Sequence, residues 1–135
     1  MIVNILRFSF KEGTTEEEKA HALAAMRRTA TVGSAAFGVV GQDLGDPAEG
    51  FTHTYCAGVE DLAALERYMY EPDHLEGDPV ILPHLARLSA VRLSDDMDPG
   101  LGEKILAMHL RKVAAYPEWG LLLDSIPDVH LATEA

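Results

Sequence analysis

Across the first 94 residues, four short runs rich in β-branched and aromatic residues alternate with two segments of helical period. They come in the order strand, helix, strand, strand, helix, strand, and that order constrains the fold more than any other feature. Residues 2–10 put Ile2, Asn4, Leu6, Phe8 and Phe10 on one strand face and Val3, Ile5, Arg7 and Ser9 on the other. Thr15-Glu16-Glu17-Glu18 has the spacing of a capping box, so a helix is predicted over 16–28, burying Ala20, Leu23, Ala24 and Met26. A second strand, weakened by Gly38, is predicted over 35–40, and a loop from Gly41 to Gly50. A third strand over 51–59 aligns Phe51, His53, Tyr55, Ala57 and Val59 on one face. Leu62, Leu65 and Met69 mark a helix over 60–70 that Pro72 stops. A short helix at 79–86 then leads into a strand over 87–94.

This element order predicts an α+β, ferredoxin-like βαββαβ subunit: an antiparallel four-stranded sheet with its helices on one face. The other sheet face is left half apolar, which predicts a partner, and two sheets meeting face to face in a homodimer would cover it. The polar breaker Asp95–Gly100 divides residues 1–98 from a helical extension over 99–135. There Leu101, Ile105, Met108 and Val113 predict a helix over 101–115 ended by Pro117, followed by an apolar cluster at Trp119, Leu121, Leu122, Leu123 and Ile126. That segment is too short for its own core, so it is expected to pack over the subunit or across the dimer.

Composition narrows the function classes. The chain carries 22 Asp and Glu against 11 Lys and Arg, a formal charge of −11. Neither nucleic acid nor an anionic membrane is an expected partner, because both need clustered cations. The single cysteine, Cys56, excludes an internal disulfide framework and a Cys-rich zinc module. Asn4 and Arg7 interrupt the first apolar run, so it does not read as a signal peptide, and a cytoplasmic location is expected. His21, His53, His74, His84, His109 and His130 lack the local pairing of metal ligands, so no metal is expected. No nucleophile elbow and no phosphate loop is present.

The stretch Tyr68-Met69-Tyr70-Glu71-Pro72-Asp73-His74 carries the candidate chemistry. A helix ending at Pro72 sets a phenol and an imidazole six residues apart across a break. Imidazole exchanges a proton near neutral pH, and a neutral phenol donates to a carbonyl oxygen as it becomes an enolate. His53, among apolar neighbours on its strand, is a third candidate. Either His74 or Tyr68 also has a plain structural use, as a helix cap or a core aromatic.

Taken together, residues 1–13, Thr15–Glu18, Glu49-Gly50-Phe51-Thr52-His53 and Tyr68–His74 resemble the stress-responsive dimeric α/β-barrel (Dabb) family, similar to its polyketide cyclases of the olivetolic acid cyclase type. The resemblance covers residues 1 to about 98 and implies a ferredoxin-like subunit whose sheet pairs into a dimeric barrel. It implies an intramolecular aldol condensation of a small apolar or aromatic, polyketide-like substrate, with no cofactor. Pro72-Asp73-His74 matches the segment of the catalytic base, Tyr68 the assisting tyrosine and His53 a substrate-site histidine. Asn4 stands where the family commonly has histidine, and Asn4, Leu23 and Met26 complete the expected substrate contacts. Residues 99–135 have no counterpart in the short cyclases. Two other readings stand beside this one: a non-catalytic homodimeric stress-responsive protein, and, ranked lower, a monooxygenase of the same barrel type.

Overall fold

Strand β1 (Ile2–Phe10) runs through the middle of the sheet in a computed structural model that describes residues 1–131. Its two apolar faces suit that place: Ile2 and Phe8 are buried under helices, while Val3 and Ile5 face the opposite side. β1 pairs antiparallel with β3 (His53–Val59) and β4 (Leu85–Ser94), and β2 (Phe37–Gln42) pairs antiparallel with β3. A further strand, β5 (Asp128–Leu131), lies parallel to β4, so the order is β2-β3-β1-β4-β5. The fold class is the expected α+β ferredoxin-like one, but the sheet has five strands, is mixed, and gains its edge from the extension. Four residues are too few to show strand periodicity. The register is held by Arg87, whose Nε donates to Asp128 Oδ2 at 2.6 Å.

Helix α1 (Glu16–Ala30) starts at the predicted capping box: Glu18 N–H donates to Thr15 Oγ1 and Thr15 N–H to Glu18 Oε1, both at 3.1 Å. Its buried stripe is Ala22, Ala25, Met26, Thr29 and Ala30. The expected stripe is thus corrected by rotation: Ala20 is exposed, and Leu23 and Ala24 are half-buried. Gly38 is where β2 meets α1, since a Cβ there would overlap the carbonyl oxygen of Ala30. Helix α2 (Leu62–Met69) begins at Asp61, whose carboxylate accepts from Ala64 N–H, and buries Leu65 and Tyr68.

Pro72 does more than stop α2. It opens helix α3 (Pro72–Ile81) as its first residue, where the missing N–H has no partner to lose. The expected break after Pro72 and helix at 79–86 are both replaced by this one helix, with Pro79 inside it and a short 3₁₀ turn at Leu82–His84. Helix α4 (Leu101–Ala115) has the predicted bounds, and α5 (Pro117–Asp124) follows after Tyr116. Leu101, Ile105 and Met108 of α4, Leu123 of α5 and Ile126 join the same hydrophobic core as Phe8, Leu65 and Leu85. The extension therefore packs over its own subunit. Its last four residues, 132–135, fall outside the described residues.

The uncovered sheet face is apolar: Phe37, Val39, Val91 and Leu93 are all exposed, Val39 by 66%. No helix among the described residues is long and apolar enough to cross a membrane.

Candidate active site

Between the covered sheet face and the helices lies a cavity of about 140 Å³. An apolar hollow of roughly 150 Å³ holds a benzene-sized molecule. Both Tyr68 and His74 line it, with ring centroids 4.8 Å apart. Tyr68 arrives on the last turn of α2 and His74 on the first turn of α3, so the Pro72 junction brings them together.

The ring of His74 is tethered at one nitrogen. Nδ1 lies 3.0 Å from the carbonyl oxygen of Tyr68, which can only accept, so Nδ1 carries the hydrogen and Nε2 is the basic nitrogen. Nε2 lies 3.5 Å from Asp78 Oδ2, one helical turn along α3. That carboxylate accepts in turn from the indole N–H of Trp119 at 2.7 Å. Burial lowers the His74 pKa, against an opposing pull from Asp78, and the ring is a neutral base at pH 7. The phenol of Tyr68 shares a short hydrogen bond with that of Tyr55. Burial raises both phenol pKa values, so both keep their protons at neutral pH. One of the two O–H groups donates to the other, and the second proton is left to point at a guest.

Of the expected substrate contacts, Asn4 and Met26 line the cavity. Asn4 Oδ1 accepts from Arg92 Nε at 2.8 Å, which brings a cationic side chain to the wall. His53 and Leu23 do not line it. His53 stacks on Phe8 at 5.5 Å and meets the edge of Phe10 at 5.3 Å, while its Nδ1 lies 2.7 Å from Thr52 Oγ1. Phe8 is a wall of the cavity, so the grouping of His53 with Tyr68 and His74 is corrected: two strand registers of aromatic packing hold it away. Leu23 misses because the stripe of α1 turns past it.

Several wall residues carry no signal the sequence reading used: Tyr55, Asp78, Arg92, His109, Lys112 and Trp119. Asp78 is readable only once α3 is known to begin at Pro72, since its place is His74 plus four. Lys112 was readable in principle. Leu101, Ile105, Met108 and Lys112 recur at intervals of four, three and four, so Lys112 rather than Val113 completes the buried stripe of α4.

The sequence matches the stress responsive A/B barrel domain over residues 2–94. The chain belongs to that family. Similar folds include a protein from Arabidopsis thaliana (19% identity, TM-score 0.60, covering 73% of this chain and 98% of the other). A dimeric ferredoxin-like protein of unknown function from Thermobifida fusca aligns at 23% identity and TM-score 0.61, over 69% and 89% of the two chains. The hydroxynitrile lyase of Passiflora edulis aligns at 21% identity and TM-score 0.59, over 73% and 96%. No curated protein gives a significant sequence match. This Dabb-family chain carries α4, α5 and β5 beyond the matched region, and they supply His109, Lys112, Trp119, Leu123 and Leu131 to the cavity wall.

Among the described residues, no three His, Cys, Asp or Glu side chains come together to hold a metal ion.

Proposed function

We propose that this Dabb-family chain is a homodimeric enzyme that runs acid–base chemistry on a small apolar or aromatic carbonyl compound, of the lyase or polyketide-cyclase type. The observation that carries the reading is the His74 ring, tethered at Nδ1 and basic at Nε2, beside a protonated phenol in one apolar hollow. Nε2 removes a proton from the carbon next to the carbonyl, and the free O–H of the Tyr68–Tyr55 pair donates to the oxygen as charge builds there. Asp78, close to Nε2, favours the imidazolium that results. In a polyketide-like substrate the carbanion attacks a second carbonyl of the same molecule, closing a ring by aldol condensation. Asn4 and Met26 shape the guest's seat. Homodimerisation is supported by the exposed apolar row Phe37, Val39, Val91 and Leu93 on the face opposite the helices. That same row serves the non-catalytic reading equally, so the site decides between them.

The test is deuterium exchange at the methyl group of acetophenone in D₂O, followed by NMR. Removing a general base costs about two to four orders of magnitude in rate. His74→Ala should therefore lose all exchange above the solvent rate while keeping the dimer in sedimentation equilibrium. Tyr68→Phe should lose less. Exchange catalysed equally well by His74→Ala, or absent from the native protein with every small ketone tried, would leave the homodimer without this chemistry.

A further inference from the structure

The Lys112 ammonium is the one fully buried side-chain polar group without a hydrogen-bond partner among the described residues. Its side chain is 1% exposed, it lines the cavity, and its Nζ sits 4.1 Å from the centre of the Trp119 ring. A buried charge without a partner is expensive, and the cation–π contact offsets only part of that cost. The cost falls sharply when the group gives up its proton. Burial pushes the Lys112 pKa down to about 8, against an opposing pull from Asp78. A substantial fraction of the amine is therefore neutral, and nucleophilic, at pH values where surface lysines are almost wholly ammonium.

We infer that Lys112 is a nucleophile that forms an imine with a small apolar aldehyde or ketone seated in the cavity. Its position supports this on three counts that do not depend on its protonation. It projects from α4 into a hollow of benzene size; no hydrogen-bond acceptor among the described residues claims its nitrogen; and groups able to carry protons lie near it. His74 and Asp78 of α3 and His109 of α4 are close enough to feel its charge, and the permanently charged Arg92 of β4 lines the same cavity. The amine lone pair attacks the carbonyl carbon, and the displaced C=O electron pair takes up a proton to give a carbinolamine. The nitrogen loses its second proton as the hydroxyl leaves as water. The sum is a carbonyl compound and a lysine amine in, an imine and one water out, with no oxidation or reduction. Because Lys112 lies outside the family-matched residues, this chemistry belongs to the extension of this chain and does not rest on the base assignment at His74.

Benzaldehyde as the probe, with cyanoborohydride to reduce any imine to a stable benzylamine, tests this by peptide mass mapping. Benzylation of the full-length native protein at pH 7.5 should reach Lys112 at least tenfold faster than Lys11, Lys19, Lys104 or the N-terminal amine. Its rate should climb with pH through a midpoint near 8. Toluene, which fits the same hollow but has no carbonyl, should slow it competitively. Lys112→Met should keep the fold and lose only that adduct, while His74→Ala should still be benzylated at Lys112. Trapping at Lys112 with no ketone exchange by the native protein would uphold the lysine and sink the base; exchange that His74→Ala abolishes, without any trapping at Lys112, would do the reverse. Labelling confined to surface amines, or a Lys112 rate that toluene does not touch, overturns the inference.

Discussion

The cavity wall comes from two regions built by different rules. In residues 1–94 the helices α1 and α2 each start at a side-chain cap, Thr15 and Asp61, so local sequence marks where they begin. In residues 95–131, α4 and α5 start at Gly100 and Tyr116 with no side-chain cap on their first turn. Their helices are held by what they bury. The family-matched region contributes a paired phenol, an imidazole and a carboxylate, each with at least one hydrogen-bond partner. The extension contributes the one buried amine that is not. Chemistry that many relatives could share sits on a locally encoded scaffold, and the individual feature sits on a segment that depends on the scaffold for its shape.

The sharpest way to break this comparison is to end the chain at Asp98. That removes Leu101, Ile105, Met108, Leu123 and Ile126 from the core. At about 2 kcal/mol per fully buried aliphatic side chain the loss approaches about 10 kcal/mol, the whole stability of an ordinary domain. The shortened chain should show no cooperative urea transition. A transition with an unchanged midpoint would make the extension an appendage and the contrast false.

The next effect is read in pH. Lys112 keeps its proton up to about pH 10.5 in the unfolded chain and only up to about 8 in the folded one. Between those values the unfolded state binds more protons, so stability rises with pH there and the destabilisation is complete below about 8. The Lys112 contribution amounts to about 3 kcal/mol across that window, read as the difference in urea midpoint between the native protein and Lys112→Met at successive pH values, because the buried Tyr55 and Tyr68 phenols act with the opposite sign near pH 10. His74 and His109 act with the same sign lower down, since burial lowers both: stability should fall as pH drops below about 6.5. A flat difference from pH 8 to 10.5 would show that the ammonium is solvated after all.

Replacing the charge is a smaller change of the same kind. Lys112→Met keeps the length of the side chain and its packing on Trp119, and removes the unpartnered ammonium. Isosteric apolar replacement of buried charge often gains about 1–4 kcal/mol, so the variant should melt higher at pH 7 and lose the alkaline rise. A gain in stability at a position that lines the cavity is what a group retained for its chemistry produces. A loss would mean that the cation–π contact outweighs desolvation.

How far the sequence could be read cuts across that division. The capping box, the central strand with two apolar faces and the bounds of α4 were all legible, because each is written in neighbouring residues. The pairing of Tyr68 with His74 was legible through the Pro72 junction, although that proline starts a helix where a turn was expected. Tyr55 was placed on the right strand face, but its bond to Tyr68 depends on how α2 crosses the sheet, which no local pattern states. β5 was hidden because it depends on the return of the chain to β4, a contact spanning some forty residues. His53 misled because its neighbours Phe8 and Phe10 come from β1, and only the register shows that they wrap it.

The gentlest test bears on local encoding itself. Thr15→Ala removes the acceptor for Glu18 N–H and keeps the backbone N–H that donates to the Glu18 carboxylate. Loss of such a cap costs about 1 kcal/mol, visible as a small drop in the urea midpoint. Thr15 stands at the far end of α1 from Met26, which touches the cavity, so the loss should leave benzaldehyde trapping at Lys112 unchanged. The two halves of the wall then separate cleanly: a cap in the scaffold moves stability without moving the amine, whereas a change in the extension moves both. If Thr15→Ala also altered the trapping rate, α1 would be coupled to the cavity as a rigid whole, and the scaffold could no longer be treated as a passive support for what the extension adds.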